Sequence, residues 1–334
     1  MIALALSALA GLSISALTSW IVVRAGVLDH PNARSAHTQP TPRGGGLAIM
    51  SGLGAGALVF AMMGEPGSDW IAILGASLAA GALGLADDLL ALNAKEKFGI
   101  LLGIAFAAAI AIGPVTQIDL GIYDLPIGYW VGIAGSALWI FTVINAINFM
   151  DGSDGLIVAA LIPAGLGLSL ITGDMMGVLL GVSLLGFAAW NKPRARLFLG
   201  DVGSLFVGAI FACTALAAVN ETGEISVWIA PLLILPLLAD VLLTLAAKLK
   251  AGKRLAEAHR SHAYQLRLRM KTSHSAVAGF FGFAAAMLVI VGFGAVRVGG
   301  IAPLAAFVAI VGVLTWYQYR IRSRAKAAGL DLNE

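Results

Sequence analysis

The polar residues that most clearly suggest chemistry follow a long apolar segment. Residues 127–144 are almost uncharged, and they are followed by four side chains that could bind a polar ligand: Asn145, Asn148, Asp151 and Asp154. Amides and carboxylates are costly at the end of a membrane-spanning helix unless they bind something. At helical spacing the first three share one face, and Gly152 and Gly155 then allow a sharp turn. This segment therefore predicts a site for a polar ligand.

A second acidic motif ends the third apolar segment. Asp87 and Asp88 are adjacent, so on a helix they point about 100° apart and only one can face a given centre. Lys95 would lie on the same face as Asp88 if the helix continued through it. A solvated helix end is the simpler interpretation of one carboxylate. A pair at the depth of the other acidic motifs favours function.

A third acidic motif stands where the eighth apolar segment begins. Asp201 lies between Gly200 and Gly203, at a helix start where a carboxylate can cap the helix or present oxygens to a hard cation. Asn191 opens this segment, and three cationic side chains follow it closely. We interpret Asp201 as a metal ligand near a bound phosphate.

Basic side chains concentrate in two loops. Residues 248–271 hold many Lys and Arg side chains, and residues 29–46 form a second loop rich in Pro and Gly. Two imidazoles are too few for a zinc site, and the single Cys213 lies inside an apolar segment. Phosphate binding explains this mixture better. The candidate anion donors are Arg34, His37, Arg43, His259, Arg260 and His262.

The elements that position these residues must be membrane helices. The chain has 334 residues, of which 59% are hydrophobic and 12% charged, and its mean hydropathy is +0.92. No soluble domain of this length can bury so much apolar surface. We predict an all-α, polytopic membrane protein forming a single integral membrane domain over residues 1–334. The eleven candidate spans are 1–23, 46–63, 69–86, 98–115, 128–147, 155–172, 175–190, 203–219, 225–246, 274–296 and 300–318.

The distribution of charge predicts the topology. With the N-terminus outside, every Lys and Arg among the 21 except Arg297 falls on the inner side. The positive-inside rule then places the N-terminus in the periplasm, and the C-terminus and all the polar motifs at the cytoplasm. The basic pI of 9.1 reflects these loops beside an anionic leaflet, so we expect no nucleic-acid partner.

Acidic residues fit for a divalent cation, cations fit for phosphate and an apolar surround suit two anionic reactants that meet at a membrane. The motifs resemble those of the polyprenyl-phosphate N-acetylhexosamine-1-phosphate transferases, which include the translocase of peptidoglycan synthesis. The matching elements lie in order over residues 29–265. The loop at 259–265, His-Arg-Ser-His-Ala-Tyr-Gln, looks most like the branch that initiates O-antigen or related surface glycans. The matching motifs are residues 40–46, Asp87-Asp88, residues 145–156 and residues 198–204.

The resemblance implies a reaction and roles for the residues. A HexNAc-1-phosphate would pass from a UDP-sugar to undecaprenyl phosphate, releasing UMP, in the bacterial inner membrane. Residues 1–334 would form a single transferase domain, and the resemblance also raises a homodimer, which is common in the family. Asp201 would bind Mg²⁺, with Mn²⁺ as a substitute, and Asp87 and Asp88 would handle the acceptor phosphate. Asp151 would contribute to catalysis. The residues implied to bind substrate are Arg43, Lys95, Asn145, Asn148, Asp154, Asn191, His259, Arg260 and His262.

Three alternatives stay open at this stage. A peptidoglycan-type phospho-MurNAc-pentapeptide transferase would share most of the motifs, although its loop is usually richer in consecutive His. A proton-coupled transporter would also need carboxylates in apolar segments, but near the midplane and often in paired repeats. A CDP-alcohol phosphotransferase would need a longer Asp-rich helix motif that this sequence does not contain.

Overall fold

The computed structural model describes residues 2–26, 28–29, 41–90, 92–223, 225–253 and 260–332. Within these ranges the protein is nearly all-α, as predicted. The helices are α1 (Ile2–Ala25), α2 (Gly45–Met63), α3 (Trp70–Leu90), α4 (Ala94–Ile112), α5 (Tyr129–Met150), α6 (Leu156–Thr172), α7 (Met175–Asn191), α8 (Gly200–Thr222), α9 (Ile229–Leu233), α10 (Leu235–Lys250), α11 (Ala263–Arg269), α12 (His274–Val298) and α13 (Ala302–Ala327). Two short antiparallel strand pairs depart from the all-α prediction: β1 (Leu28–Asp29) with β2 (Thr41–Pro42), and β3 (Gln117–Asp119) with β4 (Asp124–Pro126).

The helices are those of a multi-pass membrane protein. Seven of those described are long and apolar enough to cross a bilayer: α1, α2, α3, α5, α8, α12 and α13. The apolar helices α6 and α7 are shorter, at 17 residues each. Each of the eleven predicted spans overlaps helical structure. The total of eleven crossings stays a prediction.

One predicted span is not a single helix. Residues 225–246 cover α9 and most of α10, which are separated at Ile234. Pro231 and Pro236 flank the break, and each lacks the backbone N–H that would continue a helical ladder. The sequence analysis also missed α11, which lies within the predicted basic loop.

Helix α8 forms the centre of the bundle. The most apolar stretch of α8 is 94% buried, and the helix packs against α2, α3 and α5. Two close approaches depend on glycine. A Cβ at Gly84 of α3 would collide with the carbonyl of Asp201, and one at Gly46 of α2 would collide with the backbone of Gly203. The start of α8 is therefore held against the end of α3 and the beginning of α2.

The described parts of the connections after α1, α3, α5, α7 and α10 meet at one end of the bundle. The first loop is tied to the start of α8, because Gly45 and Gly46 donate their N–H groups to the carbonyls of Phe198 and Leu199, each at 2.9 Å. The β3–β4 hairpin lies at the opposite end, where Trp228 Nε1 donates to the carbonyl of Asp119 at 2.6 Å. The chemistry-bearing loops are thus gathered on one side, as their alternation in the sequence predicts.

Candidate active site

A cavity of about 650 Å³ opens at the end where the polar loops meet. Its volume lies within the ~300–1,000 Å³ of typical small-molecule sites. It is lined by four carboxylates and four cations that come from separate parts of the chain. The acidic residues are Asp88, Asp151, Asp154 and Asp201, and the basic residues are Arg43, Arg260, Arg269 and Lys271.

Asp201 presents its carboxylate in the first turn of α8. Asn148 Nδ2, at the end of α5, donates to Asp201 Oδ1 at 3.0 Å and to Ser204 Oγ at 2.9 Å. Asp201 does not cap the helix, because Leu199 occupies the N-cap position and no side chain there accepts a hydrogen bond. The capping alternative is therefore wrong. The carboxylate is left to face the cavity and its neighbours.

Lys97 is a site residue that the sequence analysis missed. Its ammonium donates to Asp87 Oδ2 at 2.6 Å and also to Asp201 Oδ2, so one cation joins two carboxylates. Leu92 N–H donates to the other oxygen of Asp87 at 2.9 Å. The Lys97 side chain is only 11% exposed, which strengthens the attraction between these charges.

The predicted role of Lys95 depended on a continuous helix, and that condition is not met. Helix α3 ends at Leu90, and α4 begins after Asn93, whose Oδ1 accepts from Glu96 N–H at 3.0 Å. Lys95 is exposed in the first turn of α4 and does not line the cavity. The Asn-x-x-Glu pattern is a helix-start signal that would have predicted this break.

The two adjacent carboxylates of α3 have different surroundings. Asp88 lines the cavity, where its Oδ2 accepts from Val202 N–H at 3.2 Å. Arg43 Nη1 lies 3.9 Å from Asp88 Oδ1, and Arg43 Nη2 donates to the carbonyl of Asp88 at 2.5 Å. Asp87 instead faces Lys97. Only one member of the pair therefore faces the cavity, as the helical geometry predicts.

The turn between α5 and α6 is fixed by polar contacts. Asp154 Oδ2 accepts from Ala195 N–H at 3.0 Å. Asn191 Oδ1 accepts from Gly155 N–H at 3.1 Å, while Asn191 Nδ2 donates to the carbonyl of Leu197 at 3.0 Å. Asn191 lines the cavity but is almost fully buried. Both ends of its side-chain amide bond to the backbone, so it joins the α5–α6 turn to the loop before α8.

Asp151 follows the last residue of α5 and lines the cavity. Burial raises the pKa of this carboxyl well above its usual range, and the charges of Asp201, Asp88 and Asp154 raise it further. Like charges so close together favour protonation, or a cation bound between them.

Asn145 does not reach the cavity. It is buried one turn below Asn148, and its Nδ2 donates to the carbonyl of Phe141 in the same helix at 2.7 Å. Its Oδ1 has no hydrogen-bond partner among the residues that the structure describes. Of the three residues predicted to share one helix face, Asn145 is therefore buried in the bundle, whereas Asn148 and Asp151 are at the site.

His274 is the second residue that the sequence analysis missed. It begins α12 and lines the cavity, with Nδ1 3.0 Å from Ser153 Oγ and 3.2 Å from the backbone nitrogen of Asp154. Ser273 caps α12 by accepting from Ala276 N–H at 3.2 Å. A Ser just before an apolar segment is a helix-start signal, and Ser273 could therefore have indicated that His274 lies at the end of a span, where the other polar motifs are.

The basic loop is held in place by a buried carboxylate. Asp240 of α10 accepts from the N–H groups of Ala263 and Tyr264, at 2.7 and 3.0 Å, and so fixes the start of α11. The Tyr264 hydroxyl donates to the carbonyl of Phe149 at 3.1 Å, and burial raises the pKa of Tyr264. Arg260, which precedes α11, and Arg269, which is its last residue, both line the cavity.

His262 is placed differently from the prediction. It is 4% exposed, its Nδ1 lies 3.5 Å from Asp240 Oδ1, and it does not line the cavity. The imidazole instead packs against Asp240 and the ring of Tyr264, so its position does not support the predicted binding of phosphate or sugar. His259, Arg34 and His37 lie outside the described residues.

The donor atoms of the cavity fit Mg²⁺. No group of three or more His, Cys, Asp or Glu side chains is arranged to hold a metal within the described ranges. Mg²⁺ does not need such a cage, because it keeps several waters and uses one or two carboxylates with substrate phosphates. Asp201, beside the carboxylates of Asp88 and Asp151, offers hard oxygen ligands of this kind.

Comparison with known proteins identifies the family. Residues 70–219 match the family described as glycosyl transferase family 4. The chain is 32% identical over 249 residues to the probable undecaprenyl-phosphate N-acetylglucosaminyl 1-phosphate transferase of Bacillus subtilis (strain 168), covering 70% of this chain and 67% of that protein. It is 28% identical over 320 residues to the decaprenyl-phosphate N-acetylglucosaminephosphotransferase of Mycobacterium leprae (strain TN), covering 81% and 79%.

A phospho-N-acetylmuramoyl-pentapeptide-transferase of Desulforudis audaxviator (strain MP104C) is 30% identical over 216 residues, covering 54% of this chain and 64% of that protein. The family match contains the acidic motifs from Asp87 to Asp201. The resemblance seen in the motifs is thereby confirmed, and the chain belongs to the polyprenyl-phosphate N-acetylhexosamine-1-phosphate transferase family.

Proposed function

We propose that the protein transfers a HexNAc-1-phosphate from a UDP-sugar to undecaprenyl phosphate, releasing UMP and forming a polyprenyl-diphosphate-sugar. The observation that carries this proposal is the cavity itself, where four carboxylates and four cations meet at the end of an apolar bundle. Such a mixture suits a charged nucleotide and a phosphate whose lipid tail stays in the bilayer.

The cations divide the cavity into two phosphate-binding regions. Arg260, Arg269 and Lys271 belong to the basic loop and suit the diphosphate of the donor. Arg43 lies beside Asp88 and suits the phosphate of the acceptor. Mg²⁺ held through Asp201 would neutralise charge on the donor diphosphate and on the UMP that leaves.

The transfer is proposed as a single displacement. An oxygen of the lipid phosphate attacks the phosphorus linked to the sugar, and the bond from that phosphorus to the UMP oxygen breaks. A phosphate monoester has a second pKa near ~6, so the acceptor is mostly dianionic at neutral pH and little proton removal is needed. Asp88 would orient the acceptor rather than act as a strong base.

A covalent phosphosugar-enzyme is the rival mechanism, in which an Asp attacks first. Exchange of label between UMP and the UDP-sugar in enzyme free of acceptor separates the two. The single displacement predicts no exchange, whereas exchange at the rate of turnover would establish the covalent route.

UDP-GlcNAc is the first donor to test, because relatives of the chain are named for transfer of N-acetylglucosamine phosphate. Its product would start an O-antigen or another surface glycan. A phospho-MurNAc-pentapeptide transferase is the second candidate, since relatives with that name also match. The mass of the lipid product distinguishes the two.

The cavity is proposed to face the cytoplasm of the bacterial inner membrane, with eleven crossings and a periplasmic N-terminus. The support is the charge distribution, because basic loops stay on the cytoplasmic side. A homodimer is a further expectation. Labelling of single cysteines introduced at Lys271 and at Asp124, in intact cells and in inverted vesicles, tests the orientation.

The test of function uses purified enzyme with undecaprenyl phosphate, Mg²⁺ and a panel of UDP-sugars. We expect release of UMP and a lipid whose mass equals the acceptor plus one HexNAc-phosphate. Substrate counterflow in proteoliposomes without any lipid product would instead establish the transporter alternative.

A further inference from the structure

The geometry around His274 points to a second kind of contact in the cavity, one that the charged residues do not supply. This inference rests on the proposed function, because it concerns the donor sugar. His274 is half-buried at the first position of α12 and lines the cavity beside the turn that contains Asp154.

The hydrogen bonds of His274 define its tautomer. The backbone N–H of Asp154 points at Nδ1 from 3.2 Å, and a backbone N–H can only donate. Nδ1 must therefore accept, so the imidazole proton is on Nε2. Ser153, which is buried, places its hydroxyl 3.0 Å from the same Nδ1 and can donate to it. The turn thus holds one edge of the ring and leaves the other edge as a donor.

Nε2–H has no hydrogen-bond partner among the residues that the structure describes, and the ring faces the cavity. The same cavity already holds four cationic side chains for phosphate oxygens. A neutral N–H group is better matched to a neutral acceptor. On a UDP-HexNAc, the neutral acceptors that lie beyond the diphosphate are the sugar hydroxyls and the acetamido carbonyl.

We propose that His274 is a specificity-determining residue that donates from Nε2–H to a neutral oxygen of the donor sugar, and that Ser153 is a positioning residue for its ring. A site that is built to donate to a particular oxygen leaves its N–H unpaired when that oxygen is absent, and it rejects such a donor more strongly than an apolar pocket does.

The test compares binding of UDP and UDP-GlcNAc, by calorimetry with purified full-length protein in detergent. In His274→Phe we expect UDP-GlcNAc to bind roughly 5- to 10-fold more weakly, as for loss of one net hydrogen bond, while UDP binds unchanged. His274→Gln, which keeps an N–H donor, should recover most of the loss. Ser153→Ala should lose less than His274→Phe, and Ser275→Ala, at an exposed neighbouring position, should match the wild type.

A kinetic panel then identifies the atom. The donor KM should rise in His274→Phe with kcat and the acceptor KM little changed. For the one analogue that lacks the contacted oxygen, the wild type and His274→Phe should give equal rates. Equal weakening of UDP and UDP-GlcNAc, or no weakening of either by a folded His274→Phe, would overturn the proposal. Failure of the proposed function gives a different result, because the wild-type protein would then release no UMP from any donor.

Discussion

Lys97 provides the sharpest perturbation of the site. Its ammonium contacts Asp87 and Asp201 together, so replacing it with Met removes the only cation that joins them in the described part of the chain. The two carboxylates would then repel each other, and one would take up a proton or turn away. Asp201 would lose the orientation that directs its carboxylate to the cavity.

The size of the effect follows from the burial of the three groups. The side chains of Lys97, Asp87 and Asp201 are 11%, 15% and 33% exposed. Removing one partner of a buried ion pair costs about 3–5 kcal/mol, and the partial exposure of Asp201 reduces this to about 2–3 kcal/mol. If that loss appears in the transition state, kcat/KM falls roughly 30- to 150-fold.

The assay is UMP release by Lys97→Met, with thermal unfolding in detergent as the check on folding. Lys95→Met is the matched control, because Lys95 lies half a turn away on the same helix and is exposed. It should stay within about twofold of the wild type. In a double-mutant cycle, Lys97→Met and Asp87→Asn should be non-additive by about 0.5–3 kcal/mol. Wild-type turnover in Lys97→Met, or strict additivity, would show that Lys97 does not orient Asp201.

Three further predictions follow from the same geometry. Asp201→Ala should lose turnover by at least about 100-fold while the protein stays folded, because this carboxylate is the proposed Mg²⁺ ligand; UMP release and a melting curve check it. Asp240→Ala removes two acceptors from the start of α11, so the donor KM should rise by roughly 10-fold with the acceptor KM unchanged, as steady-state kinetics would show. The pKa of Asp151 is raised in the folded protein, so above pH ~4 the folded state binds more protons than the unfolded state and loses stability as the pH rises. Asp151→Asn should therefore unfold at a higher temperature than the wild type at pH 8. This difference in unfolding temperature should vanish near pH 4.

The sequence was sufficient to predict which loops meet. Asp88, Asp154 and Asp201 are predictable site residues, because ionisable groups at the ends of apolar segments are costly unless they bind a ligand. The alternation of the helices then places those ends together. Arg43 and Arg260 followed from the same alternation. These inferences need only the positions of the apolar segments and the alternation of their ends across the bundle, and both can be read from the sequence.

The details that escaped prediction depend on contacts between distant segments. The prediction for Lys95 requires one helix to continue beyond Asp88, but α3 ends at Leu90 and a new helix starts after the Asn93 cap. Lys97 rather than Lys95 then contacts the carboxylates. The burial of His262 depends on Asp240, which is far from it in the sequence. Asp240 itself carried an unused signal, since it is an acidic residue inside a predicted span.

Whether the polar residues form one donor site is decided by an experimental structure of the protein with a UDP-HexNAc and Mg²⁺. We expect nucleotide-sugar density inside the cavity, with the diphosphate between Asp201 and Arg260 and the sugar beside His274. Density at the opposite end of the bundle, beside the β3–β4 hairpin, or an empty cavity under saturating donor, would contradict this expectation.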